Sequence, residues 1–166
     1  MKQRHLSVFC VLFLLATSGA FAAPIGPDPA VVRIDFSIRK DKLRPTRGTA
    51  TIIAVVKNIG TVPYNSRVGQ QNVQIFEMPL GGTAGPAKKV CDFGSLLVNA
   101  EYRCEYSRPW DSASPGEGEF PPNYKAMIVY DPDILLDGNP KNDDINSKNN
   151  QLQVSGARIN DLFHRP

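Results

Sequence analysis

Hydrophobic and polar positions alternate with a period of two along most of the chain. Val32, Ile34, Phe36 and Ile38 alternate with Arg33, Asp35, Ser37 and Arg39, which predicts a strand with one buried face. Residues 49–58 (TATIIAVVKN) are rich in β-branched side chains and predict a second strand. Its inward set is Ala50, Ile52, Ala54 and Val56; the outer positions Ile53 and Val55 are apolar too and require a covering element. Residues 71–78 (QNVQIFEM) predict a third strand, and residues 87–97 and 101–108 a pair of short strands carrying Cys91 and Cys104. Residues 123–131 (NYKAMIVYD) put Tyr124, Ala126, Ile128 and Tyr130 on one side, and 150–155 (NQLQVS) end the series with Leu152 and Val154 inward.

Turn chemistry separates these runs. Asn58-Ile59-Gly60-Thr61 closes the second strand, Pro79–Pro86 is a glycine-rich turn, Pro109–Pro122 reads as a loop, and an acidic, amide-rich loop runs from Asp131 to Asn150. No helix of three or more turns is expected. Short strands at this spacing predict an all-β chain, an antiparallel immunoglobulin-like β-sandwich of about seven strands. A small barrel is the alternative.

The first 22 residues follow a different pattern. Lys2 and Arg4 precede an apolar run, Leu6–Ala16, and Ala20-Phe21-Ala22 follows. This is the layout of a secretory leader cleaved before Ala23. The run is shorter than the roughly 20 residues that span a bilayer. Residues 23–30 (APIGPDPA) then form an extended N-terminal lead-in, 31–155 the sandwich, and 156–166 (GARINDLFHRP) a C-terminal tail. The tail is a disordered end, an added strand or a docking peptide.

Export changes how charge and cysteines are read. The whole chain carries +3, and loss of Lys2 and Arg4 leaves +1. The basic run Arg33–Arg47 is interleaved with Asp35 and Asp41 and reads as a solvated face, so nucleic acid is not an expected partner. Cys10 leaves with the leader, and Cys91 and Cys104 remain to pair in an oxidising compartment. At 42% apolar and 21% charged residues the whole chain has a globular composition, which excludes collagenous, coiled-coil and multi-pass membrane classes.

Three segments together resemble the bacterial cell-adhesion-related (CARDB) domain. They are Val56-Lys57-Asn58-Ile59-Gly60 after an alternating strand, Tyr124–Asp133 with its terminal acidic pair, and Asn149-Asn150-Gln151-Leu152 before the last strand. The match covers about residues 31–155. The long 131–149 loop and the Cys91–Cys104 pair depart from the family's pattern. The resemblance implies a sandwich, a surface or extracellular setting, and a binding or spacer role without enzymatic activity.

Candidate chemistry is sparse. The single histidine after the leader, His164, lies three residues from the end of the sequence, and nucleophilic catalysis needs a positioned base. Asp131, Asp133, Asp137, Asp143 and Asp144 supply oxygen ligands for calcium; equally, Asp and Asn build turns for local reasons. No cofactor is expected unless this loop takes calcium. Trp110 is either core or an aromatic contact for a partner, and Ile134 and Leu135 are either a plug over the core or an exposed contact patch. The expected function is an exported, non-catalytic binding module of the bacterial periplasm or cell surface, with a protein or polysaccharide partner. A calcium-dependent adhesion module is the alternative. A small secreted hydrolase, or an inhibitor using loop 109–122, is a further one.

Overall fold

The computed structural model describes residues 25–165, so the expected leader and Cys10 lie outside the described residues. Seven strands follow one another: β1 (Pro29–Lys40), β2 (Arg47–Asn58), β3 (Gln71–Met78), β4 (Lys89–Asp92), β5 (Glu101–Asp111), β6 (Asn123–Tyr130) and β7 (Gln151–Ser155). The last element among the described residues is an α-helix, α1 (Ala157–His164). The strands form two antiparallel sheets, β1-β2-β5 and β4-β3-β6-β7. This is the immunoglobulin-like sandwich that the alternation predicts. In the constant-type arrangement the fourth strand joins the sheet of the first two; here β4 pairs with β3 instead.

The inner faces follow the sequence pattern. Ala50, Ile52, Ala54 and Val56 of β2 face Val73 and Ile75 of β3 and Tyr124, Ala126 and Ile128 of β6 in one buried cluster. In β1 the period breaks. Val31 pairs with Val56 and Arg33 with Val55, so Val32 is the extra residue of a β-bulge. Val31, not Val32, takes the inward place, and Ile34 resumes the period.

The apolar outer positions of β2 are buried, as expected, but not by a covering element among the described residues. The register flanks Ile53 with Asp35 and Glu105, and Val55 with Arg33 and Arg103. Arg33 reaches across β2 to grip both carboxylate oxygens of Glu101 at 2.7 and 2.8 Å. The aliphatic stems of such side chains shield apolar surface while their charges stay wet. Arg33 holds the Glu101 carboxyl below its ordinary range.

Three expectations are corrected. The pair of cysteine strands expected at 87–97 and 101–108 is divided between the sheets: β4, shorter than expected, and β5 belong to different ones. The Cys91–Cys104 disulfide, S–S 2.06 Å, therefore ties the edge of one sheet to the edge of the other. Strand β5 continues through Pro109 and Trp110 to Asp111, where a loop was expected. Pro109 lacks an N–H but is tolerated because β5 is an edge strand. The tail is neither disordered nor a strand. It forms α1, which packs Ile159 and Phe163 into the core.

Candidate functional site at the Asn58 end

Because the strands are antiparallel, loops gather at two ends. Residues 25–28, 59–70, 93–100 and 131–150 meet where β2 ends at Asn58; residues 41–46, 79–88 and 112–122 meet where β2 begins at Arg47.

Asn58 organises its end. Its side chain is fully buried. Its Oδ1 accepts from the backbone N–H groups of Asp28 (3.1 Å) and Gly60 (3.0 Å). Its Nδ2 donates to the carbonyls of Val62 (2.9 Å) and Leu96 (3.0 Å). One amide thus holds the lead-in, the β2–β3 connection and the β4–β5 connection together. A buried amide with all its bonds made stabilises one loop arrangement over others. Gly60 is required here, since a Cβ would run into the carbonyl oxygen of Gly26. The lead-in is accordingly buried: Ile59 N donates to Asp28 O at 2.8 Å and Thr61 N to Gly26 O at 2.9 Å.

A second buried network sits beside it. Tyr64 OH donates to Gln71 Oε1 at 2.9 Å, Ser66 Oγ donates to the same oxygen at 2.6 Å, and Gln71 Nε2 donates to Arg67 O and Phe93 O. Burial pushes the Tyr64 hydroxyl above its ordinary range.

The acidic loop spends most of its carboxylates on its own turns. Asp131 Oδ1 accepts from Asp133 N at 3.1 Å, Asp137 Oδ1 from Asn139 N at 2.8 Å, and Asp144 Oδ1 from Asn146 N at 2.9 Å. Asp137 Oδ2 also accepts from the amides of Asn142 and Gln70, which hold its carboxyl below the ordinary value. Tyr130 OH donates to Asp144 Oδ2 at 3.1 Å. Among the described residues no group of three His, Cys, Asp or Glu gathers as a metal site. Four buried oxygens do lack partners there: Asn142 Oδ1, Asp143 Oδ1, Asn149 Oδ1 and Asn150 Oδ1.

The apolar island in this loop is split by burial: Ile134 is buried, outside the core cluster, while Leu135 is 69% exposed. Nearby, Val62, Pro63, Tyr64 and Leu97 line a cleft of about 520 Å³, with Asn65, Ser95 and Lys141 at its rim. Ile59, Val68, Leu97, Val98, Leu135 and Leu136 are exposed at this end, whereas Val90 alone among the described strands exposes a large apolar side chain.

The opposite end exposes Leu43, Leu80 and Phe120 on its loops. Trp110 is 2% exposed, so it packs in the core and offers no face to a partner. Its Nε1 donates to Asn160 Oδ1 of α1 at 2.8 Å. Arg108 lies 5.3 Å over the Trp110 ring and clamps Glu77 and Glu117, both at 2.6 Å. An open groove of about 900 Å³ runs past Arg108, Trp110, Glu117, Arg39, Lys40 and Lys42. Gln71 and Asn160 were not singled out by the sequence pattern; Asn58 was, but only as the start of a turn and as part of a segment carrying the resemblance. No protein-family model and no curated protein matches the chain.

Proposed function

We propose that the protein is an exported, non-catalytic binding module that meets a protein or polysaccharide of the cell envelope through its Asn58 end. One observation carries this: an apolar cleft opens at that end, and eight of the twelve exposed large apolar side chains among the described residues lie on its loops, against Leu43, Leu80 and Phe120 at the opposite end and Val90 on a strand. Contiguous apolar surface rimmed by polar groups is where partners dock. The leader-like first 22 residues and the resemblance to the cell-adhesion-related domain support the same reading. So does the chemistry. Arg108 neutralises Glu77 and Glu117, and His164 is exposed at the end of α1.

Photo-cross-linking in intact cells tests it. A photoreactive side chain at Leu97 or Leu135 is expected to give a discrete adduct, and one at Ser107, exposed on β5, none. Adducts from Ser107 alone would overturn it.

Calcium dependence is favoured by the four unpartnered buried oxygens of residues 142–150. A calorimetric titration with calcium, repeated on Asp143→Asn, checks it. Saturable heat that the substitution abolishes is the expected result.

A further inference from the structure

The two ends of the molecule carry features that fit each other. The β1–β2 connection turns through Lys42-Leu43-Arg44, and Leu43 is 91% exposed, more than any other large apolar side chain among the described residues. The tip is built rather than loose. Asp41 Oδ1 accepts from Leu43 N at 2.9 Å, Asp41 N donates to Arg47 O at 2.8 Å, and Arg47 N donates to Arg44 O at 2.8 Å. A preorganised tip loses little freedom on docking. Among the described residues, Lys42 and Arg44 form no ion pair.

The Asn58 end is the complement. Its apolar cleft is lined by Val62, Pro63, Tyr64 and Leu97, and the acidic loop reaches the cleft through Lys141. Asn65 N donates to Lys141 O at 2.8 Å and Asn139 Nδ2 to Asn65 O at 3.0 Å, which pins the loop to the cleft. That loop carries Asp131, Asp133, Asp137, Asp143 and Asp144 against only Lys141 and Lys148. One end is therefore a leucine between cations, and the other an apolar cleft beside carboxylates.

We infer that the occupant of the cleft is a second copy of this chain: Leu43 of one molecule seats between Val62, Pro63 and Leu97 of the next, with Lys42 and Arg44 facing the 131–144 carboxylates. This rests on the reading of the Asn58 end as the binding end and names its partner. Residues 39–47 around the tip carry +4 and residues 131–150 carry −3, so tip and acidic loop attract between copies whose total charge is close to zero. Tip and cleft are different surfaces, so the contact is heterologous. It does not close as a two-fold dimer and propagates head to tail.

Sedimentation velocity on the protein purified as the cell processes it tests the inference. The weight-average mass of the wild type is expected to rise with concentration between roughly micromolar and millimolar, the range of small transient contacts. It is expected to fall in about 1 M salt, where the screening length is about 3 Å. Leu43→Ser keeps the cleft and loses the knob; Leu97→Lys keeps the tip and repels a cationic one. Each is expected to stay monomeric alone, and their equimolar mixture to stop at a one-to-one dimer. Both positions are exposed, and unchanged circular dichroism checks the fold; the wild-type series stands without either variant. A wild type that is monomeric throughout, a Leu43→Ser protein that associates like it, or a mixture that stays monomeric would overturn the inference. A monomeric wild type that still cross-links through Leu97 in cells sinks self-assembly and leaves the binding end standing.

Discussion

Asp28 is a carboxylate held where its charge is disfavoured. Burial raises its pKa first of all, the Asn149 amide (Nδ2 to Oδ1, 2.8 Å) pulls it back, and the nearby Asp144 raises it further, with a net upward shift from 3.8. A carboxyl whose folded value is raised favours the protonated fold. Its contribution is fully present below the unfolded value and is lost as pH rises through the folded one. At neutral pH the charge therefore costs stability. Asp28→Asn keeps the acceptor for Asn149 and removes the charge. Its melting temperature is expected to exceed that of the wild type at pH 7, and the gap to close by about pH 3. A lower melting temperature at pH 7 would mean that the ionised carboxylate is needed, as it would be beside a bound cation.

Elements were legible where a single period ran through them. The inward sets of β2 and β6 match the alternation residue for residue, because each strand covers one face of the core. The β1 bulge was not legible, since Val31 and Val32 are equally apolar and only pairing with β2 decides between them. Helix α1 was hidden for another reason. Eight residues are too few for a helix to stand alone in water. Its stability comes from Ile159, Phe163 and Asn160, which dock on a core assembled from distant strands. At the candidate site the acidic loop and its turns could be read from composition, but the partners of Asn58 and Gln71 could not. Those contacts join segments far apart in the chain. The docking of α1 can be watched, because Trp110 is the only tryptophan. Phe163→Ala is expected to cost about 3–5 kcal/mol and to shift Trp110 emission to the red. Asn160→Ala, which leaves the indole N–H buried without an acceptor, is expected to cost about 1–3 kcal/mol. Unshifted emission in both would mean that α1 does not cover Trp110.

The whole molecule is a sandwich whose two open sides are closed by different means. On one side the disulfide joins β4 to β5, across a sequence separation of 13. On the other, β1 lies beside β7, and α1 packs back against β1. A loop of that length is worth about 3 kcal/mol through the restricted unfolded chain, a contribution that does not involve α1. Cys104 and Trp110 are six residues apart on β5, about 20 Å along an extended strand. The two closures share β5, the disulfide at Cys104 and α1 through Trp110, but touch it at points beyond the range at which substitutions normally couple. Replacing Cys91 and Cys104 by serine, replacing Phe163 by alanine, and combining the three form a thermodynamic cycle. The losses in denaturant melts are expected to add to within about 0.5 kcal/mol. A coupling of 1 kcal/mol or more would show that the sides communicate through the sheets. The Arg47 end, where α1 sits, would then transmit strain to the Asn58 end, and the two ends that are proposed to meet between molecules would no longer act independently within one.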